Sequence, residues 1–462
     1  MTWRFLPKHA FESHLNNNNR LLFQLLVLIV TAAAMTGTSP CAAPAQPISL
    51  REALVRAQAE NPELLINRAR QARAEATRLR TRQGIFPTLT FDATYLNADI
   101  GLLDSVNIGD LAVLPWLGVG ALNPVEGNLV GLQLVQPVIN FGAWHAREQA
   151  AYAEDAARLG LRRAEHEVAV VTIEAYFGAV TAQHQLGAEA RGLAAARRAL
   201  RQAEALFEQG LVARLDVLKA RARVGEMEAR HALAERRIIA AHAMLRQILA
   251  LEGEGLLALA DPIPEPPRAL RQVEPAPGQR ADVLALGESV KAAEAGVDRA
   301  RAAYIPGVNL FARYQRVEMD QPFDFNETDW IVGVNFAWTL FAGFGQQGAV
   351  DEARAEEQEA RAKLWALRQR ARSEVEESYA WWRAELQAWE SATVSVAAAA
   401  EALKLTEKRY AEGLEDMTEL LRAQAEELGA LTREISARYN AVVAAQRYGL
   451  AIGAEDPAWW LP

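Results

Sequence analysis

Trp330-Ile331-Val332-Gly333-Val334-Asn335-Phe336-Ala337-Trp338 decides the fold of this chain. In an extended strand Trp330, Val332, Val334, Phe336 and Trp338 fall on one side, and Gly333, Asn335 and Ala337 on the other. Two aromatic ends eight residues apart cover ~27 Å along a strand, or ~20 Å once it tilts by ~45°. That matches the apolar band of a membrane barrel, with Trp330 and Trp338 at the two interfacial girdles. A water-soluble sheet could carry the same alternation, but it would need a covering layer. Here helical patterns begin directly at the strand ends instead.

Three other stretches alternate in the same way. Leu89, Phe91, Ala93 and Tyr95 alternate with Thr88, Thr90, Asp92 and Thr94; Val130, Leu132 and Leu134 with Gly131 and Gln133; Val308, Leu310, Ala312 and Tyr314 with Asn309, Arg313 and Gln315. The expected strands are 88–95, 130–135, 308–315 and 330–340. Four strands cannot close a barrel, and an open edge in lipid leaves its amides unsatisfied. The chain therefore has to share its barrel. Two chains would give about eight strands, which fill their own interior. Three chains give about twelve, a natural cyclic closure with a pore.

The remainder reads as long helices in two copies of one plan. Glu174-Ala175-Tyr176 recurs as Glu377-Ser378-Tyr379, Gly210-Leu211 as Gly413-Leu414, and Phe141-Gly142 as Phe344-Gly345, each 203 residues on. Pro87 recurs as Pro306, and Asn61-Pro62-Glu63-Leu64 falls against Arg280-Ala281-Asp282-Val283, at an offset of 219. The extra length lies between Pro87 and Phe141, in the strand-joining segment Asn97 to Gly127, which is longer than Val317 to Glu327. Both are loops at the far end from the helices, so both should face outside the cell. Helices are expected over Leu50 to Phe86 (with a break or first turn at Asn61-Pro62), Ala143 to Phe207 and Asp216 to Leu251. In the second copy they run over Ala281 to Tyr304, Gln346 to Tyr410 and Thr418 to Gly449. The long helix, ~65 residues and ~98 Å, can lie beside two shorter ones placed end to end. Such lengths indicate coiled-coil packing.

The chain begins with an export signal. Arg4, Lys8 and Arg20 precede the apolar run Leu21 to Met35, and Ala43-Pro44-Ala45 supplies a cleavage pattern before Gln46. A retained anchor helix is the bland alternative. Cys41 is the single cysteine, so no disulfide framework forms within one chain. Thr38, Ser39 and Pro40 stand before it where a lipid-attachment motif needs Leu and a small residue. The resulting organisation is a signal peptide over 1–45, a first repeat over 46–261, a Pro-rich linker over 262–279, a second repeat over 280–453 and a tail over 454–462.

Other chemistries find little support. A net charge of −9 argues against a nucleic-acid partner. Gly343-Phe344-Gly345-Gln346-Gln347-Gly348 follows a strand and opens a helix, as a dinucleotide fingerprint does. However, the following helix is far longer than a βαβ unit allows, and the glycines serve better as a bend. His231 and His242 have no metal-ligand spacing around them. No nucleophile stands beside a base, so neither enzyme activity nor a cofactor or metal is expected.

These features together resemble the TolC-like outer membrane efflux family over Leu50 to Gly453. The matching residues are Leu50-Arg51-Glu52-Ala53-Leu54 with Asn61-Pro62-Glu63-Leu64, the strand-leading Phe86-Pro87 and Ile305-Pro306, Asn140-Phe141-Gly142, Leu340-Phe341-Ala342-Gly343 and the two Gly-Leu turns. The resemblance implies a mainly α fold with a transmembrane β section: a homotrimer whose shared 12-stranded barrel continues into a coiled α-helical barrel across the periplasm. It implies a passive duct for drugs, metals or proteins. The implied partners are a periplasmic adaptor, an inner-membrane transporter of the RND or ABC type, and outer-membrane lipid. Gly210, Leu211, Val212, Ala213, Gly413 and Leu414 then stand at the periplasmic tips where adaptors dock. The aperture gate would draw on Arg214, Asp216, Tyr410, Glu415, Glu419 and Arg422. Relatives often carry two acids three apart after the second tip; here Glu419 is followed by Arg422, so the pair can satisfy itself locally. An exported coiled-coil scaffold or adhesin, and a stand-alone diffusion porin, are the competing readings.

Overall fold

The computed structural model describes residues 47–98, 125–272, 277–321 and 325–454. The signal segment with Cys41, most of the Asn97–Gly127 connection and the tail from 455 lie outside the described residues.

Ser49 starts the first helix with a reciprocal capping box to Glu52, and α1 covers Leu50–Glu60. Pro62 has no amide hydrogen to donate, so the chain breaks there. Asn61 adopts an extended conformation and caps α2, Pro62–Arg80, through the Glu63 amide. A 3-10 turn, Thr81–Gly84, then leads towards β1. The helix expected over 50–86, with its break or first turn at Asn61-Pro62, is thus two helices and a closing 3-10 turn. The long α3 spans Phe141–Glu208, 68 residues, capped by the Asn140 side chain. Its partner α4 spans Arg214–Ile248. The second half repeats the plan with α5, Ala281–Arg301; α6, Gly345–Ala411; and α7, Met417–Ile452.

Packing follows from these lengths. α3, about 100 Å long at 1.5 Å per residue, runs beside α2 and then α4, and beside α5 and then α7. α6 packs on α5 and α7. Interfaces are rich in alanine, with Ala179, Ala188, Ala203, Ala220, Ala441, Ala444 and Ala445 fully buried, so the helices approach closely. Midway, Tyr176, Phe177, Leu245, Leu249, Ile263 and Val442 form the largest apolar cluster. There Ile48 bridges Leu259, and the Tyr176 hydroxyl donates to Ile48 O at 2.9 Å and accepts from the Asp261 amide at 3.0 Å. The linker continues this belt over the second half: Leu270 packs on Trp382 and Tyr448, whose hydroxyl donates to Arg271 O.

The strands β1, Thr88–Ala98; β2, Val125–Ile139; β3, Gly307–Gln321; and β4, Phe325–Ala337 form one antiparallel sheet in that order. They are longer than the apolar alternation suggested, because polar pairs such as Asn128–Glu318 and Glu318–Asn326 carry the ladder beyond the apolar residues. β4 ends at Ala337, so 338–340 is not strand. Gly343 (φ +58°) and Phe344 (φ +65°) turn the chain into α6 there. Among the described residues no helix is long and apolar enough to cross a membrane.

Candidate functional site

The register gives the sheet two unlike faces. Phe91, Leu132, Tyr314 and Trp330 stand in one row across the four strands. Leu89, Leu134, Ala312 and Val332 form the next row, and Leu310–Val334 and Val308–Phe336 extend the band on β3 and β4. Trp330 is 76% exposed, and none of the described residues covers this face. Beyond Tyr314 and Trp330 the same face turns polar: Arg316 and Glu318 form an ion pair at 2.6 Å, paired across to Thr328 and Asn326. Trp338 lies past the last residue of β4, and its indole donates to Tyr304 O at 3.1 Å. The opposite face carries Thr90, Gln133, Arg313 and Ile331 in one row and Asp92, Gln315 and Asp329 in the next. Gly131 sits between Asp92 and Gln315, where an added Cβ would come within 3.0 Å of the Asp92 carboxylate. The sheet is therefore apolar on one side and mixed on the other, where polar residues stand among Val135, Phe311, Ile331, Leu129 and Val317; β1 and β4 are its end strands.

Two joints mark where upper and lower helices meet end to end. Asn61, the cap of α2, donates to Ile248 O of α4 at 3.0 Å. Arg280, the residue before α5, donates to Ala451 O of α7 and holds Asp282 and Glu374, each at 2.7 Å. Arg163 on α3 donates to Leu450 O beside it. Burial pushes the Asp282 carboxyl up, but Arg280 and Arg163 outweigh it and hold it below the usual carboxylate range. Sequence reading missed this pair of joints. The offset of 219 between Asn61 and Arg280, and of 203 between Ile248 and Ala451, carried the signal. On α3, Glu167, Val171 and Glu174 share one face; with Trp381 and Arg447 they line a groove of 820 Å³ in which Arg447 pairs with Glu174 at 2.7 Å.

At the other end of the helices both tips turn alike. Gly210 (φ +71°) and Gly413 (φ +73°) are left-handed, a conformation that disfavours any Cβ. Leu211 N–H donates to Leu206 O and Leu414 N–H to Arg409 O, which closes the last helical turns. Leu211 (68%) and Leu414 (65%) are exposed, as is Ala213, whereas Val212 is half-buried. Lys219 Nζ donates to the Thr418 hydroxyl at 2.9 Å and ties the tips together.

Of the gate residues, Glu419 pairs with Arg422 at 2.6 Å, and Glu415 pairs with Arg409 at 2.9 Å, a partner not foreseen. Arg214 is exposed and makes no ion pair among the described residues, so within one chain it meets neither Glu415 nor Tyr410. Tyr410 packs with Ala203, Val217, Met417 and Leu420, and its hydroxyl is buried without a hydrogen-bond partner among the described residues. Burial, then the charge of Asp216, pushes its pKa up.

Known proteins share this architecture. The family profile described as Outer membrane efflux protein matches residues 53–251 and 274–454, once for each half. The chain is 29% identical to Protein CyaE of Bordetella pertussis over 321 residues, 67% of either chain. Its fold is similar to the CmeC outer membrane channel of Campylobacter jejuni (TM-score 0.74, 17% identity, 89% of this chain and 88% of that one). It is similar also to the outer membrane protein VceC of Vibrio cholerae (TM-score 0.72, 18% identity, 87% and 96%). With both halves matched and the helix–sheet plan shared, the chain belongs to the outer membrane efflux protein family.

Proposed function

We propose that this chain is one third of a passive export duct set in the outer membrane. Three copies close a 12-stranded barrel, and their helices form a tunnel across the periplasm. The observation that carries this is the four-stranded sheet with an uncovered apolar face and two end strands. In lipid both end strands must pair, and a neighbouring copy supplies the partners. The mixed opposite face, with its polar residues, then lines a water-filled passage. The belt lies outside the tunnel, because three copies of it inside would block the bore. The duct takes cargo from an inner-membrane transporter of the RND or ABC type through a periplasmic adaptor, as in tripartite efflux or type I secretion. The adaptor docks on the tips through Leu211 and Leu414, the apolar side chains that stand out there. No bond of the cargo is broken; the energy comes from the transporter. At rest the aperture is shut by contacts among the tips of three copies, drawing on Arg214, Asp216, Tyr410, Glu415 and Glu419.

The test is the mass and conductance of the purified protein. Three chains per particle in mild detergent, and discrete conductance steps in planar bilayers, are expected. Full recovery in a soluble periplasmic extract would sink the reading and favour an exported coiled-coil scaffold.

A further inference from the structure

We propose that the turns leading into β1 and β3 form a basic collar that binds the phosphate groups of the phospholipid headgroups on the periplasmic side of the membrane. This rests on the membrane reading above and adds the lipid chemistry and the residues that hold it. The two halves carry one pattern: Arg80-Thr81-Arg82 stands ahead of Phe86-Pro87, and Arg299-Ala300-Arg301 ahead of Ile305-Pro306, position for position 219 residues apart. In each half the second arginine sits at a 3-10 turn between helix and strand, Thr81–Gly84 or Ala302–Tyr304.

Trp338 sets the level of this turn. Its indole holds Tyr304 O, and Gln346 Nε2 holds Ala303 O at 2.8 Å. Arg301 lies three residues back along a turn rising ~2 Å per residue, so it starts ~6 Å below the end of the apolar band. A headgroup layer is ~5–8 Å thick on each side, which places the guanidinium among the phosphates. Phe86, Tyr304 and Ile305 are exposed and continue the apolar surface down to the collar.

The arginines are free to act. Arg82 is exposed and has no ion pair among the described residues. Among the described residues Arg301 pairs only with Asp298, at 3.1 Å, and both are about half exposed, so a phosphate can displace the carboxylate. By contrast, Arg78 is held by Glu154 and Arg299 by Gln149, both on α3. A guanidinium fork matches two phosphate oxygens, and three copies present Arg82 and Arg301 around the whole rim.

The full-length protein is reconstituted into vesicles of equal phosphatidylglycerol and phosphatidylcholine, re-extracted in mild detergent, and its retained lipid measured by mass spectrometry. Wild type is expected to retain phosphatidylglycerol preferentially, and less so in about 0.5 M salt. Arg82→Gln with Arg301→Gln is expected to cut the preference about fivefold or more, while insertion and conductance stay as in wild type. Equal retention by intact, conducting wild type and variant overturns the proposal alone. Failure of wild type to insert overturns the membrane reading and this proposal with it. Competition by inorganic phosphate at matched concentration would overturn the headgroup assignment. If the glutamine variant does not assemble, Asp298→Asn decides: releasing Arg301 is expected to raise retention, and an unchanged value overturns the collar.

Discussion

Asn61 and Arg280 hold the same position in the two halves of the chain, and each donates to the last-turn carbonyl of the helix that ends beside it, Ile248 O and Ala451 O. The two joints differ in chemistry. Asn61 is a neutral cap with one long-range bond, whereas Arg280 is 2% exposed and holds two carboxylates. Removing one partner from a buried pair strands the others. Asp282 and Glu374 retain 21% and 39% exposure, which softens the loss. Arg280→Ala is therefore expected to cost ~2–3 kcal/mol, and Asn61→Ala ~1–2 kcal/mol. Thermal melting of the helical circular dichroism of the purified protein compares them; a larger loss for Asn61→Ala would show that the ionic joint is not the stronger.

A second prediction concerns pH. His242 is fully buried; the Leu257 amide donates to its Nδ1 at 3.0 Å, and Nε2 faces the Gln183 amide at 3.3 Å. The ring is thus held neutral. Burial, then the charge of Arg246, pushes its pKa down. With the folded value below the unfolded one, near 6.5, the neutral ring's contribution is complete above that pH. It falls away as acid protonates the unfolded chain first, at up to ~1.4 kcal/mol per pH unit. The melting temperature of wild type is expected to drop between pH 7.5 and 5, and that of His242→Gln to drop less. Parallel curves would remove His242 from the account.

The faces of the sheet give a third. Val334 is 65% exposed on the apolar side, in register with Leu310, while Asn335 points to the mixed side beside Asn309. An arginine at the lipid-facing position near the midplane costs ~2–4 kcal/mol, and much less towards water. Val334→Arg should lower the yield of heat-modifiable, membrane-inserted protein, and Asn335→Arg should leave it close to wild type. Equal yields would mean that the two sides are not as unlike as their residues suggest.

What the sequence disclosed, and what it hid, follows from the range of the interactions. Alternation at Trp330–Phe336 and the repeated Gly-Leu turns are local, so they were legible without coordinates. The polar ends of the strands were not, because Asn128, Glu318 and Asn326 break the apolar pattern while keeping the ladder. Pro62 announced a break, but the reach of Asn61 to Ile248, 187 residues away, is a tertiary fact. At the tips, charges six residues apart such as Arg409 and Glu415 meet only because the left-handed Gly413 folds the chain back. The unpaired state of the Tyr410 hydroxyl depends on burial, which no spacing reports.

That hydroxyl carries the last prediction. Tyr410 is 7% exposed and lies beside the tip, with its oxygen buried and unpartnered among the described residues. A buried polar group left unsatisfied costs ~1–3 kcal/mol, so within one chain Tyr410→Phe should be neutral or stabilising. If closing the aperture shifts the tip helices so that the hydroxyl meets a partner in a neighbouring copy, the same change instead weakens the lock. Exposed pairs such as Arg409–Glu415 are worth only ~0–1 kcal/mol each, so the loss of three symmetric hydroxyl contacts would be a large share of the closing energy. Tyr410→Phe, alone and with Arg214→Ala, is expected to raise single-channel conductance while the trimer keeps its wild-type melting temperature or gains. An unchanged conductance from an intact trimer would place the resting closure elsewhere at the tips and leave Tyr410 as a core residue of the helix pair.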